Sequence, residues 1–230
     1  MTDSLDQLMQ RASEALVKMD YLGCETLCLQ ALGIARQQTA WSYYARILLP
    51  LQEARRQRRM IAAEGTIRLG SAGLETPAVD WLERLQPGCM VVTHPHTADD
   101  ARALDDAVHQ QQCHVEVLYA NPASTRGTWT VRSFRGPDVH ALLPAPPEAW
   151  QHRWLDEHTH LPHAAEDSTI ATPADWFLSA AEALGDAALD QVEMGLPSLD
   201  RLMQLERALQ VARDHEILHQ RLGDAARAMR

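Results

Sequence analysis

Apolar residues recur every three or four positions over the first 35 residues of the chain, in two runs that are separated by Asp20. The apolar positions are Leu5, Leu8, Met9, Ala12, Ala15, Leu16 and Met19 in the first run, and Leu22, Leu27, Cys28, Ala31, Leu32 and Ala35 in the second. This spacing is typical of helices that bury one face. We therefore predict two helices that are joined by a short turn at Asp20.

A third helical run begins near Ala40, and its apolar residues are Trp41, Tyr44, Ala45, Leu48 and Leu51. A proline inside a helix removes one backbone hydrogen bond and crowds the preceding turn. We therefore expect Pro50 to interrupt this helix, and we expect Gly65 to end it.

The hydrophobic period changes in the middle of the chain. Short runs of strand character lie at 66–69, 89–93, 115–119 and 129–131, and apolar residues around Trp81 suit a short helix between the first two runs. Thr97 is followed three positions later by Asp100, which predicts a capped helix before the third run. The order β, α, β, α, β, β predicts a small mixed sheet of about four strands.

The remainder of the chain returns to helical spacing after a segment rich in proline and histidine. We expect a loop over 136–147, an irregular connector over 148–171 and a helix that begins at Thr172 and Pro173. A turn is expected at Gly185 and Asp186, and Ser198 is expected to cap a last helical stretch. These boundaries predict a helical region over 1–65, an α/β region over 66–147, the connector, and a second helical region over 172–230.

Two of the predicted turns resemble parts of a tetratricopeptide repeat. In the first, Asp20 and Tyr21 open a helix, small Cys24 stands where these repeats place alanine, and Ala31 and Leu32 close the segment. The tract 181–189 similarly resembles the turn between two repeat helices. The resemblance implies an α+β, predominantly helical protein, with tetratricopeptide-like hairpins that flank the small sheet and bind a protein partner. The chain lacks three consecutive repeats, so a continuous superhelical groove is not implied.

Composition and charge narrow the function classes. Hydrophobic residues make up 46% of the chain and charged residues 23%, and the formal net charge is −10. An acidic chain is a poor match for nucleic acid or anionic lipid, so we interpret the basic run Arg55, Arg56, Arg58 and Arg59 as a solvated helix face. No window reaches the apolar length of a membrane span, and the chain start lacks a secretion signal.

The chain contains four cysteines, at positions 24, 28, 89 and 113, none of them in a CxxC pair. We interpret Cys24 and Cys28 as small buried thiols. Free thiols suit a reducing compartment, and we therefore predict a cytoplasmic protein.

The segment His215-Glu216-Ile217-Leu218-His219 matches the HExxH pattern of zinc metalloproteases. On a helix, this spacing places both imidazoles on one face, where they can hold zinc, while Glu216 acts as general base. The longer metalloprotease pattern fails, because Leu222 and Ala225 stand where it requires glycine and a third histidine. The alternative interpretation is a polar helix face, with Ile217, Leu218 and Leu222 supplying the core contacts.

Two further histidine clusters are candidate binding sites. His158, His160 and His163 lie near several carboxylates in the predicted connector, a composition that suits a divalent metal ion. His94 and His96 lie where a predicted strand gives way to a helix, the place at which α/β sheets bind small ligands and anions. The glycines of the known phosphate-binding loops are missing there.

We therefore hold three functional hypotheses from different classes. The leading one is a protein-interaction or scaffold module without catalytic activity or cofactor, for which Tyr21, Trp41 and Tyr44 are candidate contact aromatics. The second is a metal-dependent hydrolase, with zinc held by His215 and His219 or by the connector histidines. The third is a small-ligand or anion site at His94 and His96. The sequence leaves the identity of the partner and the oligomeric state open.

Overall fold

In the computed structural model we describe residues 4–84, 86–122, 127–156 and 171–229, which divide into two compact units. Unit 1 comprises Met1–Arg58 and Leu189–Arg230, and unit 2 comprises Arg59–Ala188. The described residues form eight helices: α1 (Leu5–Val17), α2 (Tyr21–Gln37), α3 (Trp41–Ala63), α4 (Pro77–Leu82), α5 (Ala98–Gln110), α6 (Pro173–Asp190), α7 (Ser198–Val211) and α8 (Glu216–Arg227). They also form six strands: β1 (Thr66–Leu69), β2 (Gly88–Val92), β3 (Val115–Pro122), β4 (Thr128–Arg132), β5 (His140–Pro144) and β6 (Trp154–Leu155).

Unit 1 is built from helices whose ends are fixed by local hydrogen bonds. Ser4 and Gln7 form a reciprocal capping box at the start of α1, and the Asp20 carboxylate accepts the Gly23 backbone N–H at the start of α2. Each cap satisfies backbone groups that the first helical turn leaves without partners. Helix α1 packs on α2, and α7 packs on α8.

Unit 2 contains a mixed sheet in the order β5-β4-β3-β2-β1-β6. Strands β1, β2 and β3 are parallel, and α4 and α5 connect them. Strands β4 and β5 continue the sheet antiparallel from β3, and β6 pairs antiparallel with β1 at the opposite edge. Parallel strands need crossover connections, and the two short helices supply them.

Both faces of the central strand β2 are buried. On one face, Met90 and Val92 pack with side chains of α4, α5 and β3. The other members of this cluster are Trp81, Ala101, Leu104, Val108, Val115 and Val117.

Helix α6 contacts the sheet at strand β4, where Trp129 meets Trp176 of α6 edge-on, with ring centroids 5.5 Å apart. The Trp176 indole N–H also donates to the Pro144 carbonyl at 2.9 Å. Helix α6 is thereby joined to the sheet.

The expected sheet of about four strands is wrong, because the sheet has six strands. The four predicted strands are present as β1 to β4. The two additional strands, β5 and β6, lie at the edges of the sheet, within segments that we expected to be a loop and an irregular connector. An edge strand tolerates proline and needs few paired residues, so neither strand leaves a strong sequence pattern.

Two predicted interruptions of helices are also wrong. Helix α3 runs through Pro50 without a break, and α6 runs through Gly185 and Asp186, where a tetratricopeptide-like turn was expected. Leu48 and Leu51 on either side of Pro50 are buried, and so is Gly185. Tertiary packing of this kind outweighs the local preference of a single proline or glycine.

Two of the three capping predictions agree with the structure. Thr97 and Asp100 form a reciprocal capping box at the start of α5. Thr172 and Asp175 exchange the same kind of hydrogen bonds at the start of α6. The third is wrong, because Ser198 is the first residue of α7, and the helix is preceded by Pro197 without a side-chain capping hydrogen bond. No helix among the described residues combines the length and the apolar composition that crossing a membrane requires.

We predict that Gly88→Ala destabilises unit 2 by about 3 kcal/mol or more, because overpacking next to a backbone cannot relax by a rotamer change. A Cβ atom at Gly88 would lie 2.0 Å from the Thr66 carbonyl oxygen and 2.7 Å from the Trp81 ring. Urea unfolding, monitored by tryptophan fluorescence, measures the change. The matched control is Gly33→Ala in α2, where the added Cβ meets no atom within 4 Å and should stabilise the helix by about 0.5 to 1 kcal/mol. Equal stability of Gly88→Ala and wild type would contradict the packing described.

Candidate binding site

Both histidines of the HEILH segment are buried, and each uses a ring nitrogen to hold the start of α8. His215 directly precedes the helix, and its Nδ1 accepts the Leu218 backbone N–H at 3.3 Å. His219 Nε2 donates to the Arg213 carbonyl oxygen at 2.8 Å. These contacts cap and anchor the helix. The alternative interpretation as a polar helix face is wrong for both histidines, which are buried, and Ile217, which was expected in the core, is 40% exposed.

Glu216, the proposed general base, is exposed, and its carboxylate accepts a hydrogen bond from the Gln220 amide at 2.8 Å. His215 precedes the helix and its Nδ1 lone pair is used on the Leu218 N–H, so in the neutral imidazole the proton lies on Nε2 and neither nitrogen of His215 offers a lone pair to zinc. Within either unit, the described residues place no three His, Cys, Asp or Glu side chains close enough to share one metal ion. The other predicted metal ligands, His158, His160 and His163, lie outside the described residues.

His96 lies in unit 2 at the carboxyl ends of β1 and β2, where the sequence predicted a ligand site. Its Nδ1 is 2.9 Å from the hydroxyl of Ser71, which is fully buried. That hydroxyl donates to the Thr93 carbonyl at 2.7 Å and accepts the Thr93 N–H at 2.9 Å. Since the single hydroxyl proton is used on the carbonyl, Ser71 accepts from His96, whose Nδ1 carries the proton. His94 is exposed.

The start of α5 next to His96 does not favour an anion. The capping box engages the backbone N–H groups of Thr97 and Asp100, and Asp99 and Asp100 add two carboxylates to the first turn. A backbone hydrogen bond from Thr97 lowers the pKa of Asp100, which keeps that carboxylate charged. The carboxylates of Asp99 and Asp100 would therefore repel an anionic ligand at the start of α5.

The three candidate aromatic residues all lie in unit 1. Of these three, Tyr44 lines the cavity that is described below. Tyr21 and Trp41 are half-buried, and the Trp41 ring lies 5.9 Å from the Tyr44 ring. Tyr44 is buried, and its hydroxyl donates to the Glu206 carboxylate at 2.6 Å. Burial raises the pKa of Tyr44 to about 12, so the hydroxyl remains a donor at neutral pH.

A cavity of about 320 Å³ lies between α2, α3, α7 and α8 of unit 1, and we call it the leucine cavity. Its floor consists of buried side chains: Leu32, Tyr44, Leu48, Leu51, Leu209 and Leu222. Its polar wall and rim consist of Arg36, Arg55, Glu206, Gln210 and Arg213, with Leu29 and Gly33 exposed at the mouth. Known ligand pockets begin at about 300 Å³ and combine an apolar lining with a few polar groups.

Glu206 fixes one side of the leucine cavity. Its carboxylate accepts from the Tyr44 hydroxyl of α3 and forms an ion pair with Arg36 of α2. Glu206 belongs to α7, so one carboxylate connects three helices. The Arg36 side chain is 38% exposed, and part of its guanidinium therefore faces solvent at the rim.

Glu25 is buried on α2 and holds Arg55, which lines the leucine cavity. Its carboxylate accepts from Arg55 Nε at 2.7 Å and pairs with Arg58, and both arginines are buried on α3. Burial raises the pKa of Glu25, but the two guanidinium groups outweigh burial and lower that pKa to about 2. Arg55 also donates to the Arg213 carbonyl at 2.9 Å, the same oxygen that accepts from His219.

The interpretation of the basic run as a solvated helix face is wrong for Arg55 and Arg58, which are only 8% and 2% exposed. It holds for Arg56, which is exposed and pairs with Glu53 on its own helix. The signal that could have separated them is helical spacing. Leu48, Leu51, Arg55, Arg58 and Ala62 follow one another at intervals of three or four residues, so the two arginines continue the buried stripe of α3.

The comparisons with known proteins identify no relative. No protein-family model, no curated protein and no solved structure matches this chain.

We predict that Glu25→Gln destabilises unit 1 by about 3 to 5 kcal/mol, because it leaves two buried guanidinium groups without a counter-charge. Urea unfolding, monitored by circular dichroism, measures the effect. The matched control is Glu53→Gln on α3, which removes an exposed carboxylate paired with Arg56 and should change stability little. Equal effects of the two substitutions would show that the Glu25 cluster is not a buried anchor.

We further predict that His219 makes unit 1 less stable at mildly acidic pH. Burial, and then the charge of Arg55, lowers the pKa of His219 from 6.5 to about 4. The unfolded chain therefore takes up a proton before the folded chain does, so stability is fully present above about pH 6.5 and falls as the pH drops to about 4. At 1.36 kcal/mol per pKa unit the loss is up to about 3 kcal/mol.

The measurement is the difference in unfolding free energy between wild type and His219→Gln over that pH range. Glutamine keeps a donor for the Arg213 carbonyl but does not titrate, so the variant should lose less stability on acidification. The stabilisation that Glu25 provides is lost only between about pH 4.5 and pH 2, because its pKa is lowered from 4.5 to about 2 in the folded protein. Identical pH profiles for the two proteins would contradict the assignment.

Proposed function

We propose that this chain is a protein-interaction module without catalytic activity, and that its leucine cavity receives an apolar side chain of a partner segment. The observation that supports the proposal is the cavity itself. Its apolar floor is reached from the surface at Leu29 and Gly33, and its polar wall is held by Glu25 and Glu206 through hydrogen bonds and ion pairs. Helix-lined cavities of this kind bind amphipathic helices through apolar side chains on one face.

The charges around the cavity indicate the chemistry of the partner. Three arginines and one glutamate line the cavity, although the whole chain carries a net charge of −10. Glu25 pairs with Arg55, and Glu206 pairs with the partly exposed Arg36, but the lining arginines still outnumber these two carboxylates, so the cavity carries an excess of positive charge. We propose an amphipathic segment that places a bulky aliphatic side chain in the cavity and acidic residues at its rim.

The other two hypotheses have less support. The metal-dependent hydrolase requires two imidazoles available to zinc, whereas the Nδ1 lone pair of His215 is used on the Leu218 backbone N–H. An anion site at His96 faces the carboxylates at the start of α5. The tetratricopeptide-like character of the helical ends remains part of our proposal. So does a cytoplasmic location, which the four free cysteines support.

The test uses two synthetic helical peptides that share leucines at positions i, i+3 and i+4 and differ only in glutamate or lysine flanks. We predict that the glutamate peptide binds more tightly, as measured by fluorescence polarisation at low salt. Gly33→Trp should weaken its binding about tenfold or more, because an added side chain at Gly33 meets no neighbouring atom and projects at the mouth. Gln30→Trp adds the same ring to an exposed position on the same helix outside the cavity lining and should bind like wild type.

Three results would contradict the proposal. The first is equal binding of the two peptides, since the rim charges would then have no role. The second is wild-type affinity in Gly33→Trp, since the cavity would then not be the binding site. The third is no binding of either peptide at about millimolar concentration, the weakest range that such an interface would reach.

A further inference from the structure

Strand β5 lies at one edge of the sheet in unit 2, and among the described residues it pairs with β4 alone. Two backbone hydrogen bonds at its ends fix the pairing pattern. Ser133 N–H donates to the Val139 carbonyl, and Ala145 N–H donates to the Gly127 carbonyl, both at 2.9 Å. Hydrogen-bonded and non-hydrogen-bonded residue pairs alternate along an antiparallel ladder. Every second residue of β5 therefore bonds to β4, and the residues between them direct their peptide groups away from the sheet.

Four peptide groups of β5 point outward from the sheet edge as a result. Ala141 and Leu143 bond to β4, whereas His140 and Leu142 each direct one N–H and one carbonyl outward. Both outward residues are exposed. In the part of the chain that the structure describes, no hydrogen bond to these four groups is present.

The row of outward groups has defined ends. Pro144 follows it and has no N–H, and its carbonyl already accepts the Trp176 indole N–H at 2.9 Å. At the other end, the N–H and the carbonyl of Val139 both bond to Ser133. A further strand can therefore pair with two residues of β5 and form four hydrogen bonds with them.

Strand β5 lacks the usual protection of a sheet edge. Natural edge strands are often very short or carry charged residues. Strand β6, at the opposite edge, is of the first kind, with two residues. Strand β5 has five residues, none of which is Asp, Glu, Lys or Arg. Its proline stands beyond the outward groups, and Leu142 beside them is 67% exposed. These features indicate an edge that pairs with another strand.

The outward groups of β5 are complementary to those of a second copy. Two β5 strands that run antiparallel about a twofold axis through Ala141 place His140 of each copy opposite Leu142 of the other. In this register every outward N–H meets an outward carbonyl, and no group is left over. Ala141, the smallest side chain of the strand, then faces its own copy at the axis. The two Leu142 side chains lie diagonally across the axis, within reach of each other.

We propose that this chain forms a weak symmetric dimer in which the β5 strands of two copies pair antiparallel and continue the sheet from one copy to the other. A pairing of two short strands buries less than a standard interface of about 1,600 Å², so we expect a dissociation constant of about 0.1 mM. Each copy carries a net charge of −10, so added salt should strengthen the dimer. The proposal concerns unit 2 and does not depend on the leucine cavity of unit 1.

The test is sedimentation equilibrium at protein concentrations up to about 1 mM, ten times the expected dissociation constant. Leu142→Pro removes an outward N–H from each copy but no hydrogen bond to β4, and edge strands tolerate proline at such positions. Two of the four hydrogen bonds between the copies are lost, which should weaken the dimer about tenfold or more. Leu142→Thr keeps the N–H and should weaken the dimer only about threefold. Gly33→Trp, which blocks the leucine cavity, should dimerise like wild type.

A second measurement needs no variant. Wild-type protein labelled with 13C is mixed with an equal amount of unlabelled protein, and an isotope-filtered NOE is recorded between the Ala141 Hα atoms of the two copies. Residues that face each other in a non-hydrogen-bonded pair have Cα atoms about 4.5 Å apart. We therefore expect this NOE at high protein concentration and its loss on dilution.

The proposal fails on any of three results. The first is a monomer at about 1 mM protein in moderate salt, which would leave this edge to a strand of another protein. The second is equal dimerisation of wild type and a folded Leu142→Pro variant, which would place the contact elsewhere. The third is a dimeric sample without the NOE at Ala141, which would exclude the proposed register.

Discussion

The buried carboxylate of Glu25 is the group on which the organisation of unit 1 depends. It receives two arginines of α3, and one of these, Arg55, extends the connection to the Arg213 carbonyl between α7 and α8. Removing three charges from water is expensive, and apolar side chains of similar size would often give equal stability. The ionic cluster adds specificity in how the helices are oriented, because each hydrogen bond requires a donor placed directly at its acceptor. We infer that it sets the register of α2 on α3 and holds the loop before α8.

The same constraint explains why unit 1 retains the leucine cavity. Leucines alone would allow the helices to move together until the space between them closed, as well-packed cores do. Glu25 and Glu206 instead hold the helices at fixed separations, since moving α2 or α7 inward would break ion pairs and the Tyr44 hydrogen bond. Glu206 and Arg55, the partner of Glu25, both line the leucine cavity. Binding sites that are held open in this way lose little conformational entropy when a ligand enters.

The parts of the fold that the sequence predicts correctly are those that local interactions determine. The turn at Asp20, the caps at Thr97 and Thr172, and the four strands β1 to β4 follow from short-range patterns. The errors occur where distant residues decide the outcome. Pro50 and Gly185 lie within helices because of packing, and β5 and β6 exist because a sheet edge was available to them.

The candidate site was harder to predict, because the burial of Arg55 depends on Glu25, thirty residues earlier, and neither residue alone signals the pair. Tyr44 and His219 were identified as candidates, but their partners, Glu206 and the Arg213 carbonyl, become apparent only in three dimensions.

The central claim is that the leucine cavity is a binding site whose wall is held by the two carboxylates. Methyl NMR of leucine-labelled protein, recorded while the glutamate-flanked peptide is added, tests it most directly. Our account predicts that the largest shifts occur at Leu32, Leu51 and Leu209, whose methyl groups line the cavity, and that the shifts saturate together with one dissociation constant. Unchanged signals at these three leucines, with shifts confined to leucines of unit 2 such as Leu118 and Leu143, would contradict it.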